Sequence, residues 1–324
     1  MELRPLGGTA ALVSPLGLGL AALGRPGYIT IGHGGDMPLH RDVAAMETRC
    51  HEVLDAAWES GIRYVDAARS YGLAEQFLAS WLARRGLVRG ALAIGTKWGY
   101  TYTAGWKVDA AQHEVKDLSV STLRRQVAES RALLGDHVQL LQIHSATIES
   151  GVLDDADVIA ELARLRDGGL AIGLTVTGAE QAVAVRRALE LDPGGRRLFA
   201  CVQATWNLLE RSAEPALAAA HAAGLAVIVK EAVANGRLAG GEVPQPLRDA
   251  ASRLGVTTDA LAIAAALSRP WVGVVLSGAA TVAQLRANLA ALAVLYTDEL
   301  DAELQPVVEP PRAYWAARSA LPWN

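Results

Sequence analysis

The stretch RYVDAARSYGLAEQFLASWLARRGLVRGALAIGTKW, residues 63–98, decides how the chain is read. It opens on one short apolar run, RYVDA, and closes on another, ALAIGTKW, each with the length and aliphatic character of a buried strand. Between them Leu73, Phe77, Leu78, Trp81 and Leu82 fall on one face at helical spacing, and Gly86 supplies a C-terminal stop. Strand, helix, strand in that order describes two parallel strands joined by a crossover helix.

The same alternation runs along the chain. LGLGLAAL (16–23), RYVDA (63–67), ALAIGTKW (91–98), VQLLQIH (138–144), AIGLTV (171–176), CVQATW (201–206), AVIVKEA (226–232) and WVGVVLSG (271–278) make eight candidate strands. Helical patterns lie between and around them at 37–61, 72–86, 119–135, 155–169, 180–190, 213–224 and 281–292, with Ser119 or Ser121 as an N-cap and Gly135 as a stop in the third. Near-continuous aliphatic strands, each followed by a helix, predict a closed α/β barrel of the (β/α)8 TIM type. An open doubly wound sheet needs a Gly-rich phosphate turn after strand one, and GLGLAALG (17–24) is a poor version of it. LRPLGGTAALVSP (3–15) reads as a hairpin with a Gly-Gly turn that would plug the barrel bottom, and the tail after Thr297 adds one short helix. No linker or low-complexity tract interrupts the pattern, so residues 1–324 are expected to form one domain.

Composition narrows the function. Half of the residues are hydrophobic and only 5% aromatic, which suits a large aliphatic core. A net charge of −4 without a basic run argues against nucleic acid and anionic membranes as partners and for a small molecule. The longest apolar stretches, 215–230 and 261–280, are broken by His221, Gly224, Arg269 and Pro270, and fall short of the roughly 18–20 residues of a membrane helix. MELRPLGGTA lacks a signal-peptide pattern, so a cytoplasmic location is expected. Cys50 and Cys201 make no disulfide framework or zinc spacing, no metal is expected, and Cys50 shares a helical face with Met46, Val53, Leu54 and Ala57.

In a barrel of this kind chemistry gathers at the C-terminal ends of the strands. Strand two ends at Asp66 with Tyr71 in the next loop, strand three at Lys97, strand four at His144, and strand seven at Lys230 and Glu231. Any one of these alone reads equally as a structural ion pair or a solvated strand end. Together, on consecutive strands, they read as a site. Buried charge is costly unless paired, so Asp66 and Lys97 are expected to face one another. A phenol titrates near about 10; a neighbouring Lys⁺ should pull Tyr71 down from there, with Asp66 holding the Lys in place. His144 would orient a carbonyl oxygen. These groups make a proton donor for a carbonyl, and hydride from a nicotinamide is the economical partner reagent. Arg69 has no part in this scheme and reads as a solvated or cofactor-side charge.

GIRYVDAARSYGLAE (61–75), AIGTKWGY (93–100) and LLQIH (140–144) resemble signature stretches of the aldo-keto reductases, and the likeness continues in VQATWNLLERS (202–212), ANGRLAG (234–240) and SGAATVAQLRANL (277–289). The resemblance implies an NADPH-binding barrel without a Rossmann fold and a catalytic tetrad carried by Asp66, Tyr71, Lys97 and His144. It also implies cofactor contacts at Thr175, Gln203, Gly236, Ser277, Gly278, Gln284 and Asn288. Three positions depart from the family pattern. Val176 stands where an Asn usually holds the nicotinamide amide, and Lys230 replaces a stacking aromatic, a role left open for Trp206 or another ring. Lys230 and Glu231 are then open to the cofactor, the substrate or one another. The third departure is at the adenosine site, where Gly278 and Gln284 carry no charge for a 2′-phosphate and Arg286 sits elsewhere in the motif, which opens NADH as an alternative.

The loop WGYTYTAGWKVDAAQHEVKD (98–117) concentrates aromatics. Trp98, Tyr100 and Trp106 are expected to wall a substrate pocket, Tyr102 belongs to the same loop, and His113 and Glu114 read as solvated. A carbonyl reductase or alcohol dehydrogenase is the leading expectation, with a small-molecule carbonyl or alcohol as its partner. A Schiff-base lyase using Lys97 or Lys230, and a nucleotide-sensing partner protein, are the alternatives. Substrate, direction and oligomeric state are not legible in the sequence.

Overall fold

The computed structural model describes residues 1–38, 40–240 and 242–324, and in it eight parallel strands close into a ring. They are β1 (Leu16–Gly19), β2 (Tyr64–Asp66), β3 (Ala93–Trp98), β4 (Val138–Ala146), β5 (Ala171–Val176), β6 (Cys201–Thr205), β7 (Ala226–Lys230) and β8 (Val274–Ser277). Neighbours follow chain order, and β8 returns to β1 with Val275 beside Leu16. The eight strands lie at the eight apolar runs. Nearly every strand residue is buried, because helices cover the outside and side chains fill the inside.

The N-terminal hairpin pairs Arg4–Pro5 with Leu12–Val13. Its Leu6 and Val13 pack with Tyr64, Leu140, Ile228 and Val274 inside the barrel, at the end opposite Asp66 and Lys97. The plug expected from the sequence is therefore present, and it leaves the other mouth for ligands.

Helix ends follow capping chemistry. The helix expected over 37–61 starts only at Val43, because the Asp42 side chain accepts from the Ala45 amide (2.9 Å) and sets the N-terminus there; residue 39 of that expectation lies outside the described residues. Ser119, rather than Ser121, caps Val120–Leu134.

Two helices absent from the sequence reading, Gln245–Leu254 and Thr258–Leu267, join β7 to β8. The second is buried from Ala260 to Ala266, so it lacks the polar face that marks an amphipathic helix. Only a short break at Arg269 and Pro270 separates its apolar run from that of the strand that follows. Beyond β8 the tail forms helices at Asp298–Glu303 and Pro311–Ser319, not one, and Asn324 exchanges backbone hydrogen bonds with Tyr28 (3.2 Å each). Among the described residues no single helix is long and apolar enough to cross a membrane. Cys50 and Cys201 are buried free thiols.

Candidate active site

The C-terminal ends of the strands and their loops enclose a cavity of about 760 Å³. Asp66 reaches its wall, 2% exposed, and Lys97 lies just behind it, 1% exposed. One Asp66 oxygen contacts the Lys97 ammonium directly. The other, Oδ1, accepts from Gln203 Nε2 (3.0 Å), Gln142 Nε2 (3.1 Å) and Tyr64 Oη (3.2 Å), so the carboxylate is fully satisfied inside the barrel. Lys97 Nζ also donates to the Ala67 carbonyl and to Tyr71 Oη, both at 3.1 Å. An ammonium with three acceptors is held in one orientation, with its last proton aimed at the phenol.

Tyr71 is set by a tight crossing of the loops after β1 and β2. Leu73 N–H donates to the Gly24 carbonyl (2.7 Å). A Cβ on Gly24 would collide with the Tyr71 carbonyl, and one on Gly72, whose φ is +60°, with the Gly24 carbonyl. His144 is aimed by an irregularity near the end of β4, where Ser145 takes a φ of +55° and its N–H donates to Thr175 Oγ1 (2.7 Å). The imidazole Nδ1 lies 3.4 Å from Ser70 Oγ, and the ring stands edge-on to Tyr71 at 5.5 Å.

The electrostatics correct one expectation. Burial pushes the Tyr71 phenol well above its ordinary value, Asp66 adds to the rise, and Arg25 only partly opposes it. The net shift is upward even though Lys97 Nζ donates to Tyr71 Oη, because burial and the Asp66 carboxylate outweigh that contact. Tyr71 is therefore a protonated donor at neutral pH. Burial, then Lys97 and Arg25, hold His144 well below its ordinary value, so it is neutral there.

Lys230 and Glu231 both line the cavity. Lys230 donates to Thr205 Oγ1 (2.9 Å) and lies 3.9 Å from Glu231, while Glu231 pairs with Arg318 of the tail helix at 2.6 Å. Burial lowers Lys230 to about 8. Burial alone would raise Glu231, but Lys230 and Arg318 outweigh it and hold it at about 2. A depressed carboxylate stabilises the fold fully above its ordinary value of 4.5, and that contribution is lost as pH falls toward about 2. Urea unfolding between pH 5 and 2.5 should therefore show a steeper loss of stability in the native chain than in Glu231→Gln; parallel curves would refute the coupling.

The cavity wall also includes Thr175, Gln203, Gly236, Ser277, Gly278, Gln284 and Asn288. Asn288 Nδ2 donates to Ser277 Oγ (2.8 Å). The Gln203 amide nitrogen is engaged with Asp66 and, at 3.4 Å, Gln142. Val176 points into the core, and Thr177 is the next cavity residue after Thr175.

Several expected roles are corrected. Trp98 is fully buried in the core and is not on the wall. Trp106 packs edge-on against Phe77 and donates to the Arg41 carbonyl (2.6 Å), pinning its loop. Tyr100 alone of the three lines the cavity, 4.8 Å from the His144 ring. Trp98→Ala should thus cost about 3–5 kcal/mol of stability, measured by chemical unfolding, whereas Tyr100→Ala should act mainly on KM; the reverse pattern would overturn this placement. Trp206 is buried off the cavity with its Nε1 on Glu214 (3.1 Å), so it offers no stacking face. Arg69 is neither solvated nor cofactor-side. It joins Glu75 (2.6 Å) and Glu129 (3.0 Å), fastening the Tyr71 loop to two helices. Glu114 binds Arg25 (3.0 Å), and His113 stacks on Trp323 at 3.7 Å.

Sequence reasoning missed Arg25, Tyr28, His33, Asp36 and Trp323, all on the cavity wall. The barrel rule that drew attention to the strand ends applies equally to the long loop after β1, which brings the first four. Nothing local marks Trp323. His33 Nε2 and Asn235 Oδ1 are buried without partners among the described residues. Both residues line the cavity, as expected where a polar ligand completes the hydrogen bonding.

Comparison with known proteins identifies the family. Residues 16–309 match the Aldo/keto reductase family. D-threo-aldose 1-dehydrogenase of Pseudomonas sp is 29% identical over 78% of this chain and 77% of its own length. NADH-specific methylglyoxal reductase of Escherichia coli (strain K12) is 26% identical over 92% of this chain and 95% of its own. The solved structure of the aldo-keto reductase AKR11C1 from Bacillus halodurans (holo form) superposes with a TM-score of 0.71, at 23% identity, covering 96% of this chain and 97% of that one.

Proposed function

The chain belongs to the aldo/keto reductase family, and from that premise we propose that it interconverts an aldehyde or ketone and its alcohol with a nicotinamide dinucleotide, NADPH or NADH, using Tyr71 as general acid and base. The observation that carries this reading is the chain of contacts Asp66, Lys97, Tyr71 Oη, with His144 edge-on to the phenol at the cavity wall.

The cavity fits such a cofactor, since Thr175, Ser277, Gln284, Asn288, His33 and Asn235 place hydrogen-bonding groups on its wall, His33 Nε2 and Asn235 Oδ1 among them without partners among the described residues. When bound, the nicotinamide supplies or accepts the hydride. Tyr71 Oη delivers its proton to the substrate oxygen during reduction. Lys97, held by Asp66, donates to the phenolate that is left and stabilises it. Neutral His144 donates a hydrogen bond that orients the carbonyl oxygen without competing as an acid. In the alcohol direction the same phenol must first lose its proton, which its raised pKa opposes. Tyr71, His144, Tyr100 and Lys230 on the wall offer hydrogen bonds to a hydroxylated substrate, and one relative is named as an aldose dehydrogenase.

Fluorescence titration with NADH and NADPH, followed by a screen of aldehydes, ketones and sugars, tests the reading. Failure to bind either nucleotide would end it.

One observation favours a second reading, imine formation at Lys230, whose amine is lowered to about 8. Borohydride trapping of a ketone on Lys230 would support it. Lys97 is unsuited to that role, because its Nζ is engaged by Asp66, the Ala67 carbonyl and Tyr71 Oη and does not line the cavity.

A further inference from the structure

The loop after β1 carries Asp36 to the same part of the cavity as Ser277, Gly278, Gln284 and Asn288. Gln284 clamps it: its Oε1 accepts from the Ala280 N–H (2.9 Å), which fixes the amide, and its Nε2 donates to Asp36 Oδ2 (2.7 Å). Asp36 Oδ1 has no partner among the described residues. A second carboxylate, Asp259, lies on the same cavity wall.

Among the described residues no lysine or arginine forms an ion pair with either carboxylate. The basic residues that line the cavity are Arg25, Lys230 and Arg318, which engage Ser70 and Glu114, Thr205, and Glu231 respectively. Arg286 is exposed and off the wall. Arg49 donates to the Asp36 backbone carbonyl (3.0 Å), pairs with Glu52 (3.3 Å) and does not line the cavity. His33 is buried nearby, and burial with Arg41 and Arg25 lowers it to about 4, so it too is uncharged at neutral pH.

A dinucleotide whose nicotinamide lies at Tyr71 must place its adenosine half elsewhere in this cavity, and the Ser277–Asn288 region presents the hydrogen-bonding groups for it. This inference rests on the nucleotide-binding reading above: we infer that Asp36 is a cofactor-specificity residue, its carboxylate accepting from the ribose 2′-hydroxyl of NADH and repelling the 2′-phosphate of NADPH. A carboxylate suits a ribose diol, whereas a 2′-phosphate calls for Arg or Lys. The preference for NADH departs from the NADPH expected on family resemblance.

The test is the ratio of dissociation constants for NADH and NADPH, read by fluorescence titration in the native chain, Asp36→Ala and Asp36→Asn. Asp36→Asn retains size and a partner for Gln284 while removing the charge, so an effect shared by both variants is not a folding defect. The native chain should prefer NADH, and both variants should narrow the ratio on the order of ten-fold, mainly through tighter NADPH binding. Raising ionic strength should narrow the ratio in the native chain more than in Asp36→Asn, because only the former carries the repulsion. A native chain that prefers NADPH, or a ratio unmoved in both variants, overturns the assignment of Asp36 and leaves the proposed function intact. A native chain that binds neither nucleotide removes both.

Discussion

Tyr71→Phe is expected to lower kcat by about 10²–10⁴-fold, the usual contribution of a positioned general acid or base, with nicotinamide nucleotide affinity largely unchanged. The ring is retained, so its edge contact with His144 and its packing between the two crossing loops survive. What disappears is the hydroxyl that accepts from Lys97 Nζ and that burial and Asp66 keep protonated. Steady-state kinetics beside fluorescence titration of the same preparation separates the two effects. Full turnover in this variant would remove Tyr71 from the chemistry. A loss of nucleotide binding equal to the loss of turnover would make it a binding residue instead.

The second large effect concerns the buried ion pair. Asp66→Ala strips Lys97 of its counter-charge at a site only 1% exposed, and also removes the acceptor shared by Gln203, Gln142 and Tyr64. Breaking such a pair from one side costs about 3–5 kcal/mol, because the remaining charge stays buried. Lys97→Met should cost a similar amount. The double variant, with no charge left, should recover much of the stability and none of the activity. Urea unfolding of the four proteins in a double-mutant cycle measures this. Additive losses would show that the two side chains do not depend on one another.

That pairing was legible in the sequence, because adjacent parallel strands ending in opposite charges leave few other solutions. The strand pattern was equally legible, since a buried strand between covering helices writes itself as a continuous aliphatic run. Where the same physics erases local contrast, the reading failed. The helix Thr258–Leu267 is apolar on every side and reads as more strand. Trp98 and Tyr100, two residues apart, had equal claims on the cavity, yet Trp98 is buried in the core while Tyr100 faces His144. Trp98 ends β3 and Gly99 follows at a φ of +110°, a break in the backbone that no periodicity records.

The eight barrel strands and the acids and bases at their C-terminal ends can be read from the residues alone, because each follows from spacing over a few positions. Their partners and electrostatic surroundings arise only when the chain is folded. The charge state of Tyr71 depends on burial, Asp66 and Arg25 acting from separate elements. Arg69 found Glu75 and Glu129, and Asp36 found Gln284, 248 positions along the chain. A field and a hydrogen-bond partner are sums over neighbours in space, and those neighbours exist only after the barrel has closed.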